Sequence, residues 1–335
     1  MKSERLRSAR RSGGSPGRRL GQFLLSRAGL LLIFLLLLGA AIDIASSGSL
    51  LRFANLNNLF VNVAVVAVAS IGMTLVILTA GIDVSIGGIV GLSSAIAGQL
   101  LTNGTNVLLS LGVFLAVGLA LGLVNGILVS YVRIPAIITT LATKSIFRML
   151  VFLTLGGVWI SSIPFRLTNF FVLTRIWILP VSLVLTLALL IAASVLMTHT
   201  RTGRWFYAVG DNEEAARLSG INVRLVKTSG YALLGLLTAV AAIFSLAESP
   251  LVQNNTGSGF ELTVIAAVIL GGTELSGGRG TVLGSLIGAV IVALVQDGVI
   301  LLHIQPFWNG VLLGAVILAS VASSGLRLLR QRGAR

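Results

Sequence analysis

The chain has 335 residues, 56% of them hydrophobic and only 10% charged, with a mean hydropathy of +1.01. Soluble domains carry about 25% charged residues, so two water-soluble domains are excluded and the required solvent is a lipid bilayer. The net charge of +14 is concentrated: residues 1–27 carry +7, residues 327–335 carry +4 and residues 198–227 carry +2. Basic clusters flanking apolar runs follow the positive-inside rule, whereas a nucleic-acid reading needs a basic face on a folded domain. With no cysteine there is no disulfide, no thiolate metal site and no cysteine nucleophile.

Residues 1–22, rich in Arg, Ser and Gly, are expected to form a disordered basic cytosolic arm. A bilayer-crossing helix needs about 20 mostly apolar residues. Ten candidates follow in chain order: 24–44, 58–79, 86–101, 106–131, 135–156, 176–197, 228–247, 260–272, 281–303 and 307–324. They predict an all-α, polytopic membrane domain over residues 23–325, with a basic cytosolic tail at 326–335. The third and eighth candidates are short and adjoin glycine-rich breaks. The first is longer than the apolar core of a signal peptide and is expected to remain uncleaved. Ten crossings, or eight, return the C-terminus to the side of the N-terminus, and the basic ends assign that side to the cytoplasm. The same parity puts the charged loop 198–227 in the cytoplasm.

Between the second and third spans lies Gly81-Ile82-Asp83-Val84-Ser85-Ile86-Gly87-Gly88. An acid and a hydroxyl between glycines read either as a broken helix lining a cavity or as a tight connection in which Asp83 caps the next helix. A second copy, Gly272-Thr273-Glu274-Leu275-Ser276-Gly277-Gly278, follows the eighth span. A further echo pairs Leu123-Val124-Asn125-Gly126 with Leu294-Val295-Gln296-Asp297-Gly298. Degenerate duplication of this kind is a transporter signature, and parity places both Gly-acid motifs on one side. Lys144 and Arg148 share one face of the fifth span, where two like charges require carboxylates, carbonyls or water. Asp83, Glu261 and Asp297 are the candidate partners.

In the cytoplasmic loop, Asp211 and Glu214 have the spacing of a capping box and Gly220 fits the position that ends a helix. The spacing predicts an extramembrane helix of about eight residues, roughly 12 Å long, with Ala215, Ala216 and Leu218 available to a partner's groove. None of Lys2, Lys144 and Lys227 follows a glycine, so the phosphate loop of an ATPase is missing, and any ATP and Mg belong to a separate subunit. With only His199 and His303, no paired metal-ligand spacing exists, and no catalytic or cofactor-binding residue is expected.

These residues resemble the inner-membrane permease family of ABC monosaccharide importers, the ribose, xylose and galactose type. Gly81–Gly88, Thr202–Ile221 and Gly257–Gly280 each resemble a motif of that family, in order and at compatible spacing. Asn254–Gly257, Trp308-Asn309 and Gly156–Ile160 lean toward permeases that import autoinducer-2 or rhamnose. The chain departs from the family at Lys144 and at Met149, which leaves the solute contacts of the fifth span open.

The resemblance implies a permease subunit in the bacterial cytoplasmic membrane that moves a sugar-like solute. Its implied partners are a cytosolic ABC ATPase subunit, a second permease copy or paralogue, and a periplasmic or extracellular sugar-binding protein. It also implies that Asp211, Asn212, Glu213, Glu214, Ala215, Ala216, Arg217, Leu218, Ser219 and Gly220 form the helix that couples to the ATPase. Sugars need hydrogen-bonding groups in a cavity, which nominates Asn62, Asp83, Asn125, Thr139, Asn255, Glu261 and Asp297 for the solute pathway. Helix capping or packing is the alternative for each. An ion-coupled secondary transporter, using Asp83, Glu261 or Asp297, is the competing reading of the whole chain.

Overall fold

A helix of 26 residues, α2 (Phe53–Leu78), forms the axis of the molecule: residues 63–78 are all buried in a computed structural model of the chain. The structure describes residues 27–305, 307–315 and 317–318, so the expected arm 1–22 and tail 326–335 lie outside the described residues. Before α2 comes α1 (Arg27–Ala45), and after it α3 (Ile86–Thr102), α4 (Val107–Ser130) and α5 (Ala136–Leu155). A short α6 (Phe165–Thr168) runs through one π turn (Asn169–Leu173) into a hairpin of β1 (Arg175–Ile176) and β2 (Leu179–Pro180). Then follow α7 (Val181–His199), α8 (Arg201–Asp211), α9 (Glu213–Leu218), α10 (Val223–Glu248), α11 (Phe260–Leu270) and α12 (Val282–Leu301). Residues 308–315 are also helical.

The molecule is the all-α, multi-pass membrane protein that composition requires. Six helices, α2, α4, α5, α7, α10 and α12, are long and apolar enough to cross a bilayer individually. The expected sixth span begins at 181 instead of 176, because the hairpin occupies 175–180 and Pro180 sits at the N-cap of α7. Proline lacks an N–H, so a helix starts on it more readily than it runs through it.

Apolar helices gain little from mutual burial in lipid, so close packing and interhelix hydrogen bonds hold them. Both are visible between α4 and α10, the most extensive helix pair. Gly118, Gly122 and Gly126 recur every fourth residue on α4, and a methyl group at the first two would collide with the carbonyls of Gly235 and Tyr231. At one end of this seam the hydroxyls of Ser130 and Thr228 lie 2.6 Å apart. The antiparallel pair α2 and α12 is tied along its length. Asn55 Nδ2 donates to Asp297 Oδ2 at 2.7 Å, and Thr74 and Ser285 share a hydroxyl–hydroxyl bond of 2.7 Å. The Leu78 carbonyl accepts from the Gly278 amide, just before α12, at 2.9 Å.

The expected eighth span is not a continuous helix. At 1.5 Å per residue, α11 rises about 16 Å, half of a hydrocarbon core of about 30 Å. The preceding residues supply the rest as non-helical backbone laid along α3. Val252 exchanges two backbone hydrogen bonds with Ile160 and packs against Gly98. Further along, the Thr256 carbonyl faces Gly91, and the Gly257 carbonyl lies so near Gly87 that a side chain there would strike it. These glycines give α3 a bare face on which the unwound chain rests, with Val252 buried, Asn255 exposed and the rest of 253–257 half-buried.

Candidate functional site

Loop 200–222 is a helix-break-helix unit rather than one short helix. Thr200 caps α8 by accepting from the Gly203 amide at 3.1 Å, and Phe206 and Val209 bury the inner face of α8. Because α8 continues through Asp211, the cap of the second helix is Asn212, whose side chain accepts from the Ala215 amide at 2.9 Å. The expected capping box of Asp211 with Glu214 is therefore not formed: the cap moves to Asn212, three residues before Ala215, and α9 has six residues. Gly220, with φ +80°, ends it, and the Ile221 amide returns to the Ala216 carbonyl as in a Schellman motif. Ala216 turns inward and is buried, so it is not part of the outward face where it was expected; the other residues from Asp211 to Gly220 are exposed. Leu218 is 79% exposed, beside Arg217, which pairs with Glu214 at 3.6 Å. Glu213 is tied to Lys227 at the start of α10 at 2.5 Å.

Beneath this unit three backbone segments meet. A Cβ on Gly210 would overlap the Leu78 carbonyl and the Gly278 amide, and one on Gly278 would press on Asp211 at 3.0 Å. Gly277 and Gly278 both have positive φ, +86° and +71°, which lets the segment before α12 turn under the loop. Tyr207 donates to the Gly280 carbonyl at 3.1 Å, and burial pushes its phenol up from the ordinary value, so it remains a donor at neutral pH. Both Gly-acid motifs therefore start at the end of the bundle that carries α8 and α9, in agreement with the parity argument.

Asp83 is an enclosed partner in a polar knot. Its Oδ1 accepts from the Ser85 amide and hydroxyl, both at 2.7 Å, and its Oδ2 accepts from Asn125 Nδ2 at 3.1 Å. Asn125 also donates to Ser85 Oγ at 2.7 Å, so two expected pathway residues meet here, both fully buried. The carboxylate holds the turn that enters α3 but does not cap that helix as the alternative expected: the N-cap position is Ser85, and Asp83 binds the amide of that residue instead of those of the first helical turn.

The charges of α5 serve the broken span. Lys144 Nζ lies 2.5 Å from Glu261 Oε1, with side chains 31% and 4% exposed, so of the three expected partners Glu261 is the one used. Arg148 Nη1 donates to the carbonyls of Asn254 and Thr256 at 3.3 and 3.0 Å. Glu261 stands in the first turn of α11, where a helix dipole favours an anion.

The remaining expected residues are dispersed. Asp297 bonds Asn55, a partner that sequence reasoning missed although its position at the start of a span was visible. Thr139 is buried on α5 with its hydroxyl unpartnered, and Asn62 is half-buried on α2. Asn255, exposed on the unwound segment, lines a cavity of about 230 Å³ together with Ser94, Ser245, Ser249 and Gln253, none of which had been singled out. The seven candidates do not form one site.

With this geometry in place, comparison with known proteins decides the family. A family model described as "Branched-chain amino acid transport system / permease component" matches residues 55–321. The chain belongs to this permease family. The ribose import permease protein RbsC of Escherichia coli K12 is 37% identical over 303 residues, which is 87% of this chain and 91% of that protein. The autoinducer 2 import system permease protein LsrC of Yersinia enterocolitica is 36% identical over 278 residues, 83% of this chain and 77% of that protein. LsrC of Photorhabdus luminescens is 36% identical over 266 residues, 79% and 80% of the two chains. No solved structure matches. The similarity spans the α8–α9 unit, the glycine junction and the broken span alike.

Proposed function

We propose that the chain is the membrane permease subunit of an ATP-binding-cassette importer for a monosaccharide-like solute, and that α9 is the helix through which a separate ATPase drives it. One observation carries the coupling assignment: α9 is capped at both ends, presents Arg217 and Leu218 outward, and follows directly on α8, whose Gly210 and Asp211 rest on a junction with no spare volume. A push on α9 passes through the end of α8 into Leu78 and Gly278, beside the two Gly-acid motifs. The ribose and autoinducer 2 import permeases among its relatives support the sugar-like solute class.

In this reading ATP and Mg bind only to the cytosolic ATPase. The 200–222 loop and both termini lie in the cytoplasm, a second permease copy or paralogue completes the channel, and an external sugar-binding protein delivers the solute. The exposed apolar face of α5, with Ile138, Met149 and Leu153, is available to lipid or to that second permease. The three acids required by an ion-coupled mechanism are each engaged by a neighbour, at three separate places: Asp83 by Ser85 and Asn125, Glu261 by Lys144, Asp297 by Asn55. That distribution favours the ATP-driven reading.

The test replaces the outward face of α9. Arg217→Glu with Leu218→Asp is expected to abolish sugar uptake while the protein still inserts and assembles. Undiminished uptake by a fully inserted double variant would remove the coupling assignment.

A further inference from the structure

The end of α10 remote from α8 and α9 carries a cavity that the coupling machinery does not use. The helix is 26 residues long, so the cavity lies about 39 Å from the loop end by helical rise. Its walls come from three places: Ser94 on α3, Ser245 and Ser249 at the end of α10, and Gln253 and Asn255 on the unwound half of the broken span. Its volume of about 230 Å³ equals that of roughly eight waters at about 30 Å³ each.

Three features make this more than a packing gap. First, five polar side chains line the cavity: the hydroxyls of Ser94, Ser245 and Ser249 and the amides of Gln253 and Asn255. Ser94 at its floor is only 2% exposed, whereas Ser249 and Asn255 at its rim are exposed, so the polar lining runs from the interior to an open mouth. Second, no ionisable side chain lines the cavity, while Leu246 and Leu251 give it an apolar wall. Donors and acceptors around one apolar face are what a neutral ring with hydroxyls and a C–H face requires. Third, the backbone of this wall is fixed rather than loose. Arg148 holds the carbonyls on either side of Asn255, and the Gln253 amide donates to Thr256 Oγ1 at 2.8 Å. A preorganised wall loses little entropy on binding.

We propose that this cavity is a solute subsite within the permease, accepting one neutral monosaccharide ring and excluding a disaccharide. The proposal deepens the importer reading and rests on it. Ser94, Gln253 and Asn255 are its specificity-determining residues, and Arg148 acts on it by positioning the wall.

The absence of cysteine from the natural chain makes a direct test available, because one substitution introduces a unique thiol. The full-length Ser249→Cys variant in lipid nanodiscs is labelled with N-ethylmaleimide in the presence of D-ribose, autoinducer 2 or sucrose. Mass action predicts that the monosaccharide-sized solute taken up by the assembled importer slows labelling about tenfold at ten times its dissociation constant. Sucrose leaves the rate unchanged, and Ser47→Cys, on an exposed turn elsewhere, is insensitive to all three. Independently, Gln253→Leu in the ATPase-containing complex raises KM for uptake of the protecting solute more than it lowers kcat. Absence of protection at concentrations that saturate uptake, or equal protection by sucrose, overturns the subsite and leaves the importer reading standing. A complex that moves no sugar from a panel of pentoses, hexoses and autoinducer 2 overturns the importer reading itself.

Discussion

Arg148 donates to the carbonyl of Thr256 at 3.0 Å and so attaches a continuous helix, α5, to a stretch of chain that has no helical partner for its carbonyls. A buried carbonyl without a donor costs about 1–3 kcal/mol, and a bond to a charged donor contributes about 1.5–3 kcal/mol net. Arg148→Met is therefore expected to destabilise the protein by about 3 kcal/mol, read as a lower thermal midpoint in nanodiscs. Arg148→Lys retains the charge but not the forked donors and recovers only part of that loss. Equal midpoints for Arg148→Met and the parent would show that the carbonyls have another source of donors.

The neighbouring ion pair gives an asymmetric set of variants. Lys144→Met leaves the Glu261 carboxylate, 4% exposed, without its counter-charge, and breaking a buried pair costs about 3–5 kcal/mol. Glu261→Gln leaves a lysine that is 31% exposed and still faces a neutral amide oxygen able to accept from it, so its cost is smaller. The double variant Lys144→Met with Glu261→Gln is expected to be more stable than Lys144→Met alone. Additive losses in a double-mutant cycle would contradict a direct interaction.

At the loop junction, the volume of one methyl group separates two outcomes. Gly210→Ala forces Leu78 and Gly278 away from the loop, and is expected to suppress solute-stimulated ATP hydrolysis and uptake together. Tyr207→Phe removes only the 3.1 Å bond to Gly280, worth about 1 kcal/mol, and is expected to leave uptake largely intact. Similar losses from both variants would place the sensitivity in the hydrogen bond instead of the close approach.

The α4–α10 seam makes a parallel prediction about folding. Gly122→Leu drives a side chain into the Tyr231 carbonyl and is expected to lower the yield of inserted protein far more than Leu123→Ala, whose side chain is half exposed. Expression with a fluorescent fusion and size-exclusion chromatography reads the difference.

Asp83 and Asn125 are read most economically as parts of the turn between α2 and α3. Asn125→Leu removes two hydrogen bonds while keeping the helix and the apolar volume, and is expected to lower thermal stability by about 1–3 kcal/mol. Unchanged stability with an altered KM would instead return both residues to the solute route.

Much of this architecture is legible in the residues because lipid imposes strict rules. Runs of apolar residues had to be helices, and the helix starts lie within about three residues of expectation except at α2 and α10, which begin five residues early, and α7, which the 175–180 hairpin delays by five. The shift of a cap from Asp211 to Asn212 came from a choice between two adjacent residues that both cap well, decided by how far α8 propagates. The broken span was harder to see. Gln253-Asn254-Asn255-Thr256-Gly257-Ser258-Gly259 has the composition of an aqueous loop, and only contacts distant in sequence bring it onto α3. Those contacts are Arg148, Ile160 and the glycines at 87, 91 and 98, each visible alone but uninformative until paired. Of the subsite residues only Asn255 was nominated; Ser245 and Ser249 escaped notice because serines near helix ends ordinarily cap or face solvent.

The three ties between α2 and the 278–297 stretch, at Asn55, Thr74 and Leu78, are distributed from one end of α2 to the other. Two antiparallel rods pinned at both ends and near one of them form a truss: neither can slide or bend without its companion. Their geometry converts a displacement at the Leu78 end into a tilt of the whole pair, with an opposite displacement at the Asn55 end if the pivot lies between them. The far end of the pair can thus answer a displacement at the α8–α9 end without any helix along this path having to unwind.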